Sequence, residues 1–264
     1  MAGPKKSGGP PWTKGQLPPG KTRAVWSIAT LSFAGMQFCT PLGNSAPGIE
    51  DAGGPCMPVP VVEISSLKPT QMAVGYREVC VKFLKLDRTD SSTAVQKRLI
   101  PVIAGPGGHF YLKDGHHLAL ALYLAGRKSA RVNVVDDWSD LGIEAFWRAL
   151  DACDGARPFD GRGRRQRYCR MPSSILCVDD DPFRSLAGAL RRCGAYAKSA
   201  APYADFAWAD FLRDRMDAHL QTRDFPAALA RARELAASRT AEHLPGWLAP
   251  KARAETAPVS VPAS

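Results

Sequence analysis

The chain has 264 residues, 45% of them hydrophobic, and 35 basic against 25 acidic side chains give a formal charge of +10. That suffices for a core of one or two domains and excludes a collagenous or wholly disordered chain. No apolar run reaches the roughly 18 residues that a membrane span needs, which excludes an integral membrane protein apart from one doubtful N-terminal stretch. The seven cysteines are odd in number, with no CxxC pair and no zinc-ligand spacing, and predict neither a disulfide scaffold nor a structural zinc site.

Ten of 23 glycines and nine of 22 prolines fall within residues 1–58, so this segment is expected to lie outside the fold as a disordered or signal-like extension. Ala24 to Cys39 carries no charge, Lys21 and Arg23 precede it, and Asn44-Ser45-Ala46 follows at about the distance of a cleavage site. The pattern is that of a secretory signal. The long basic region ahead of it and Pro47 after the cut weigh the other way, and a cytoplasmic location is preferred over export.

A folded core is predicted over 59–150, opening with the β-branched strand Val59 to Ile64. A helical segment to about Leu86 follows, with apolar residues at Val79, Val81, Phe83, Leu84 and Leu86. Leu99 to Ala104 and His109 to Lys113 flank Gly105-Pro106-Gly107-Gly108, a strand, tight turn and strand. The Ala/Leu-rich run from Leu118 closed by Gly126 suits a buried helix, and Arg131 to Val135 a further strand. The order strand, helix, strand, strand, helix, strand predicts a small α+β (α/β-like) core.

A basic loop and a helical extension are predicted over 151–248, and a disordered tail over 249–264. A helix carrying Leu141, Phe146, Trp147 and Leu150 leads into Arg157 to Arg170, six arginines in 14 positions. Asp181 then reads as the N-cap of a helix with Pro182 at its first position, running to about Arg192 before Gly194. Helices from about Pro202 through Met216, and from Pro226 to Arg239, complete the extension.

The sharpest chemical signal is Asp114-Gly115-His116-His117 at the predicted strand-to-helix junction. A helix start presents unpaired N–H groups and partial positive charge, a glycine admits a ligand to the backbone, and phosphate is the natural guest. Two imidazoles can add hydrogen bonds or proton transfer. The simpler alternative is that Asp114 caps the helix and the histidines sit at its rim. A metal site from His109, His116, His117 and Asp114 is disfavoured, because adjacent histidines on a helix diverge by about 100°. Asp179-Asp180-Asp181 can hold Mg²⁺, although acidic residues at a helix start need no further purpose. The arginines of the loop suit a nucleotide or a nucleic-acid backbone, or form a solvated surface.

Five ordered segments carry a resemblance. Ser66 to Val79, Tyr111 to Ala119, Asp137-Trp138-Ser139, Asp180 to Ala187 and Phe206 to Phe211 together resemble the ParB-like nuclease family within the ParB/sulfiredoxin superfamily. The resemblance implies a small mixed-sheet ParB/sulfiredoxin-like core with a C-terminal helical extension. It also implies phosphate capture at the strand-to-helix turn, where partition proteins carry Gly-Glu-Arg-Arg, sulfiredoxin Gly-Cys-His-Arg and the free-serine kinases Asp-Gly-His-His-Arg. Gly115 matches the glycine, His116 fills the position of sulfiredoxin's reactive cysteine, and Leu118 stands where each of the three has arginine. Sulfinic acid reduction is therefore not expected and the case for kinase activity is weakened, whereas phosphate binding is expected.

On this reading Asp114, His116 and His117 orient the ligand or move protons, and Gly115 holds the phosphate. Arg184 and Lys198 join them if the extension folds back over the turn. The ligand expected is a nucleotide, with Mg²⁺ as an open question, or a nucleic-acid phosphate, and the activity a phosphodiester or nucleotide hydrolase or a phosphotransferase. A second expectation is a non-catalytic module in which Arg162, Arg164, Arg165 and Arg167 track a nucleic-acid backbone. A third is an exported protein with another ligand.

Overall fold

In chain order the elements are β1 (Val61–Glu63), β2 (Ala73–Val74), α1 (Tyr76–Arg88), β3 (Ile100–Gly105), β4 (His109–Leu112), α2 (His116–Leu124), β5 (Ser129–Asp137) and α3 (Ile143–Ala152). The second half adds β6 (Asp179–Asp180), α4 (Pro182–Arg192), α5 (Ala204–Arg213), α6 (Leu220–Arg223) and α7 (Phe225–Ala237). This computed structural model describes residues 59–88, 98–201 and 203–249. The signal-like stretch and most of the expected tail lie outside the described residues.

The principal sheet is mixed and runs β1-β5-β3-β4. β3 and β4 form the expected antiparallel hairpin, closing at Gly105 opposite His109. Gly107 and Gly108 in its turn have φ of 73° and 71°, a region nearly closed to other residues. β5 lies parallel to β3 and antiparallel to β1. A parallel neighbour needs a crossover connection, and α2 supplies it. Ala119, Leu120, Ala121 and Leu122 are all buried, as befits a helix apolar on most sides. The fold class is α+β, as the element order predicts.

Two apolar clusters organise the rest. Ile103 and Tyr111 of the hairpin pack with Phe146, Trp147 and Leu150 of α3. In the extension, Phe183, Leu186 and Leu190 of α4 meet Trp208, Phe211 and Leu212 of α5 and Ala228, Ala232 and Ala236 of α7. α4 is buried without a break from Phe183 to Leu190, which includes Arg184. Its N-cap is Asp181, whose carboxylate accepts from Phe183 N and Arg184 N. The Asp-Pro start read from sequence is therefore present.

Core and extension interlock at one seam. β2 pairs in parallel with β6, Ala73 opposite Asp179 and Val74 opposite Asp180, and α1 packs on α4. Gly75 permits the contact, since a Cβ there would stand 2.7 Å from Ser185 N. Tyr76 N donates to Asp180 Oδ1 at 2.8 Å. Sequence periodicity had no hold on β2, β6 or α6, each only two to four residues long. The predicted helix boundaries also move: α3 starts after Leu141, α5 ends before Met216, and α2 begins at His116, two residues ahead of the apolar run. Among the described residues no helix is long and apolar enough to cross a membrane.

Candidate functional site

The Asp114–His117 segment does join a strand to a helix. Gly115 has φ 82°, a left-handed turn that a side chain would strain. The exposed Asp114 accepts from Gly115 N at 2.6 Å, and no side chain caps α2. The first intrahelical bond is Ala119 N to Gly115 O at 2.8 Å, so the amides of His116, His117 and Leu118 form the open start of the helix.

The two histidines are fixed differently from what the sequence suggests. His116 is 1% exposed, and its Nε2 accepts from Thr70 N at 3.1 Å while Thr70 Oγ1 donates to Leu112 O at 2.7 Å. An imidazole that accepts at Nε2 carries its proton on Nδ1, and His116 Nδ1 is buried without a partner. The half-buried His117 accepts from Gly75 N at 3.2 Å, again through Nε2. Burial, reinforced by the Arg184 charge, depresses His116 to about 3 and holds His117 well below the ordinary histidine range. Both rings are neutral at physiological pH, so they present N–H donors and are poorly placed to shuttle protons.

The charge of Arg184 acts on both rings. It is 6% exposed, its guanidinium sits 3.3 Å from the centroid of the Phe206 ring, and Nη1 has no partner. Burial lowers it to about 10, which leaves it charged at neutral pH. Arg157 also faces Phe206, at 4.9 Å. Its Nη2 binds Asp210 at 2.6 Å, and its Nε is unpartnered. Arg213 joins Asp181 at 2.6 Å and also Asp210. Arg157 and Arg213 thus hold these two carboxylates, and Arg184 makes no ion pair among the described residues. A buried charge without a partner costs several kcal/mol, and a cation–π contact returns about 0.5–2 kcal/mol. Arg184 is therefore a buried cation without a carboxylate of its own.

Of the other residues named from sequence, Lys198 is exposed on the loop after α4, and Arg162, Arg164, Arg165 and Arg167 are exposed on the basic loop. Asp160 shapes that loop by accepting from the Arg162 and Arg164 amides, Arg164 Nε and Gln166 Nε2. Arg165 pairs with Asp151 at 3.2 Å. The triple acid does not converge: Asp179 is exposed, Asp180 binds the Tyr76 amide, and Asp181 caps α4 and holds Arg213. Among the described residues no three His, Cys, Asp or Glu side chains gather as a metal site. Thr70, Gly75, Phe206 and Asp210 were not singled out from sequence, although each lies in a segment carrying the resemblance. Arg157 was counted only as loop charge.

The chain has counterparts among known proteins. Residues 61–214 match the family described as "Putative ParB-like nuclease". A crystal structure of protein Atu1540 from Agrobacterium tumefaciens is 44% identical and superposes with a TM-score of 0.68, the match covering 72% of this chain and 97% of that one. No curated protein matches this chain.

Proposed function

This chain belongs to the ParB-like nuclease family, and from that premise we propose that it binds a phosphate group at the Asp114–His117 turn and acts in phosphodiester or nucleotide hydrolysis or in phosphoryl transfer. The observation that supports this most is Arg184, a buried guanidinium with an unpartnered nitrogen whose charge acts on both histidines at the start of α2. In this reading the amides at the start of α2 and the Nδ1–H of His117 donate to phosphate oxygens, and Arg184 supplies the positive charge. Gly115 keeps the approach to the backbone free of a side chain. His116, anchored to Thr70, holds the turn in place. Asp114, exposed on the turn, is the side chain able to take a proton from an attacking hydroxyl or water.

Thermal shift with inorganic phosphate and nucleotides, with and without Mg²⁺, tests the proposal. A ligand at 100 times its dissociation constant stabilises by about 2.7 kcal/mol, or roughly 5–10 °C for a domain of this size. His117→Ala should lose most of that shift and any hydrolysis, and no shift with any phosphate compound would refute the reading. A cytoplasmic location goes with it, since nucleotides are scarce outside cells. Sequencing the N-terminus of the native protein would reverse that if it began after Ala46.

A second reading, a nucleic-acid-binding module without catalysis, is favoured by the exposed Arg162 and Arg167, which have no ion pair among the described residues. Binding through them would weaken steeply with salt, and salt-insensitive binding would rule them out.

A further inference from the structure

The buried charge of Arg184, which makes no ion pair among the described residues, constrains what could pair with it. Arg157 and Arg184 both face Phe206, and each keeps one buried nitrogen without a partner, Nε of Arg157 and Nη1 of Arg184. The buried Nδ1–H of His116 is a third idle donor, on a side chain close enough to feel the Arg184 charge. Unused donors on the buried Arg184, on Arg157 and on His116 suit a compact, highly charged acceptor. Access is narrow, because Arg184 is 6% and His116 1% exposed. An internal phosphodiester carries chain on both sides and a single negative charge, and needs an open groove. A terminal phosphate has one substituent and carries about −1.5 to −2 at neutral pH.

We infer that Arg157 and Arg184, set together against Phe206, grip the terminal phosphate of a ligand, a compact dianion, and that the internal phosphodiesters of a continuous strand do not reach them. The inference rests on the phosphate reading above and sharpens it: the ligand class is a mononucleotide or a phosphorylated strand end. A continuous strand meets the exposed basic loop instead.

The test is competition binding with the full chain, using short oligonucleotides of one sequence that differ only in a terminal phosphate or hydroxyl, a circular single-stranded DNA, and a mononucleotide. Phosphorylated ends are expected to bind about tenfold tighter than hydroxyl ends, a difference of about 1.4 kcal/mol. Arg184→Gln should abolish that discrimination, so that phosphorylated and hydroxyl ends bind alike. Phe206→Leu, at a half-buried position, should reduce the discrimination without removing charge, and so keeps the inference testable if Arg184→Gln does not fold. The tighter of mononucleotide and phosphorylated oligonucleotide identifies the source of the phosphate, and either supports the inference. Equal binding of circular, hydroxyl-ended and phosphorylated DNA would overturn it while leaving the turn as a phosphate site. Failure of every probe, inorganic phosphate included, would take the phosphate reading down as well.

Discussion

Two groups of arginines in this molecule have the same chemistry and opposite circumstances. On the loop from Arg157 to Arg170, Arg164 and Arg165 stand in water, each beside a carboxylate, with side chains 64% and 55% exposed. At the seam, Arg184 is buried with an idle nitrogen and Arg213 divides itself between Asp181 and Asp210. Solvent screens the first group and leaves its pairs worth little, whereas the second acts where a charge is costly to leave unmatched. The density of basic residues along the sequence thus points away from the place where positive charge has the greatest leverage.

The strongest way to break this contrast is Arg213→Ala. It strips a partner from Asp181, whose side chain is 8% exposed, and should cost about 3–5 kcal/mol in urea unfolding. A loss no larger than that of a loop arginine would mean that the seam is as well solvated as the surface.

Asp180 probes the same seam through pH. Burial pushes its carboxyl up to about 6, against the pull of the Tyr76 amide. Above that pH the ionised group carries its full penalty, and below an unfolded value of about 3.9 it carries none. Its contribution to stability therefore improves as pH falls from 7 to 4. Asp180→Asn keeps an acceptor for Tyr76 and should stabilise by about 1–3 kcal/mol at pH 7, with the gap to wild type closing by pH 4 in unfolding curves. A gap independent of pH would contradict the assignment.

Gly75→Ala would press a methyl against Ser185 N and force α1 from α4, at about 1–3 kcal/mol. It should also disturb the Gly75 amide bond to His117, visible as a changed imidazole resonance in NMR. Arg165→Ala, by contrast, is expected to cost only about 0.2–1 kcal/mol. Arg162→Ala should stay within about 0.5 kcal/mol, and if the loop meets nucleic acid it should lower the slope of log affinity against log salt by about 1.

The sequence disclosed what local chemistry controls. The glycine-rich hairpin turn, the Asp181-Pro182 start of α4 and the Asp-Gly-His-His junction all depend on neighbours within a few residues, and each is found where expected. Pairings between distant segments could not be read this way: Thr70 with His116, Gly75 with His117, Arg213 with Asp181. Nothing near His116 in the chain says that its ring will be sealed in and accept a backbone N–H. The family resemblance filled part of that gap, since Thr70, Gly75, Asp181 and Phe206 all lie in the segments that carry it. It could not tell the half-buried Arg157 from its exposed neighbours a few residues on.

The parallel pairing of β2 with β6 joins strands more than a hundred residues apart. During synthesis the turn at Gly115 leaves the ribosome well before α4 exists, so the half-made chain owns its histidines but lacks the arginine above them. Closure at such sequence separation is slow, so the two halves of the seam can meet only after both have been made.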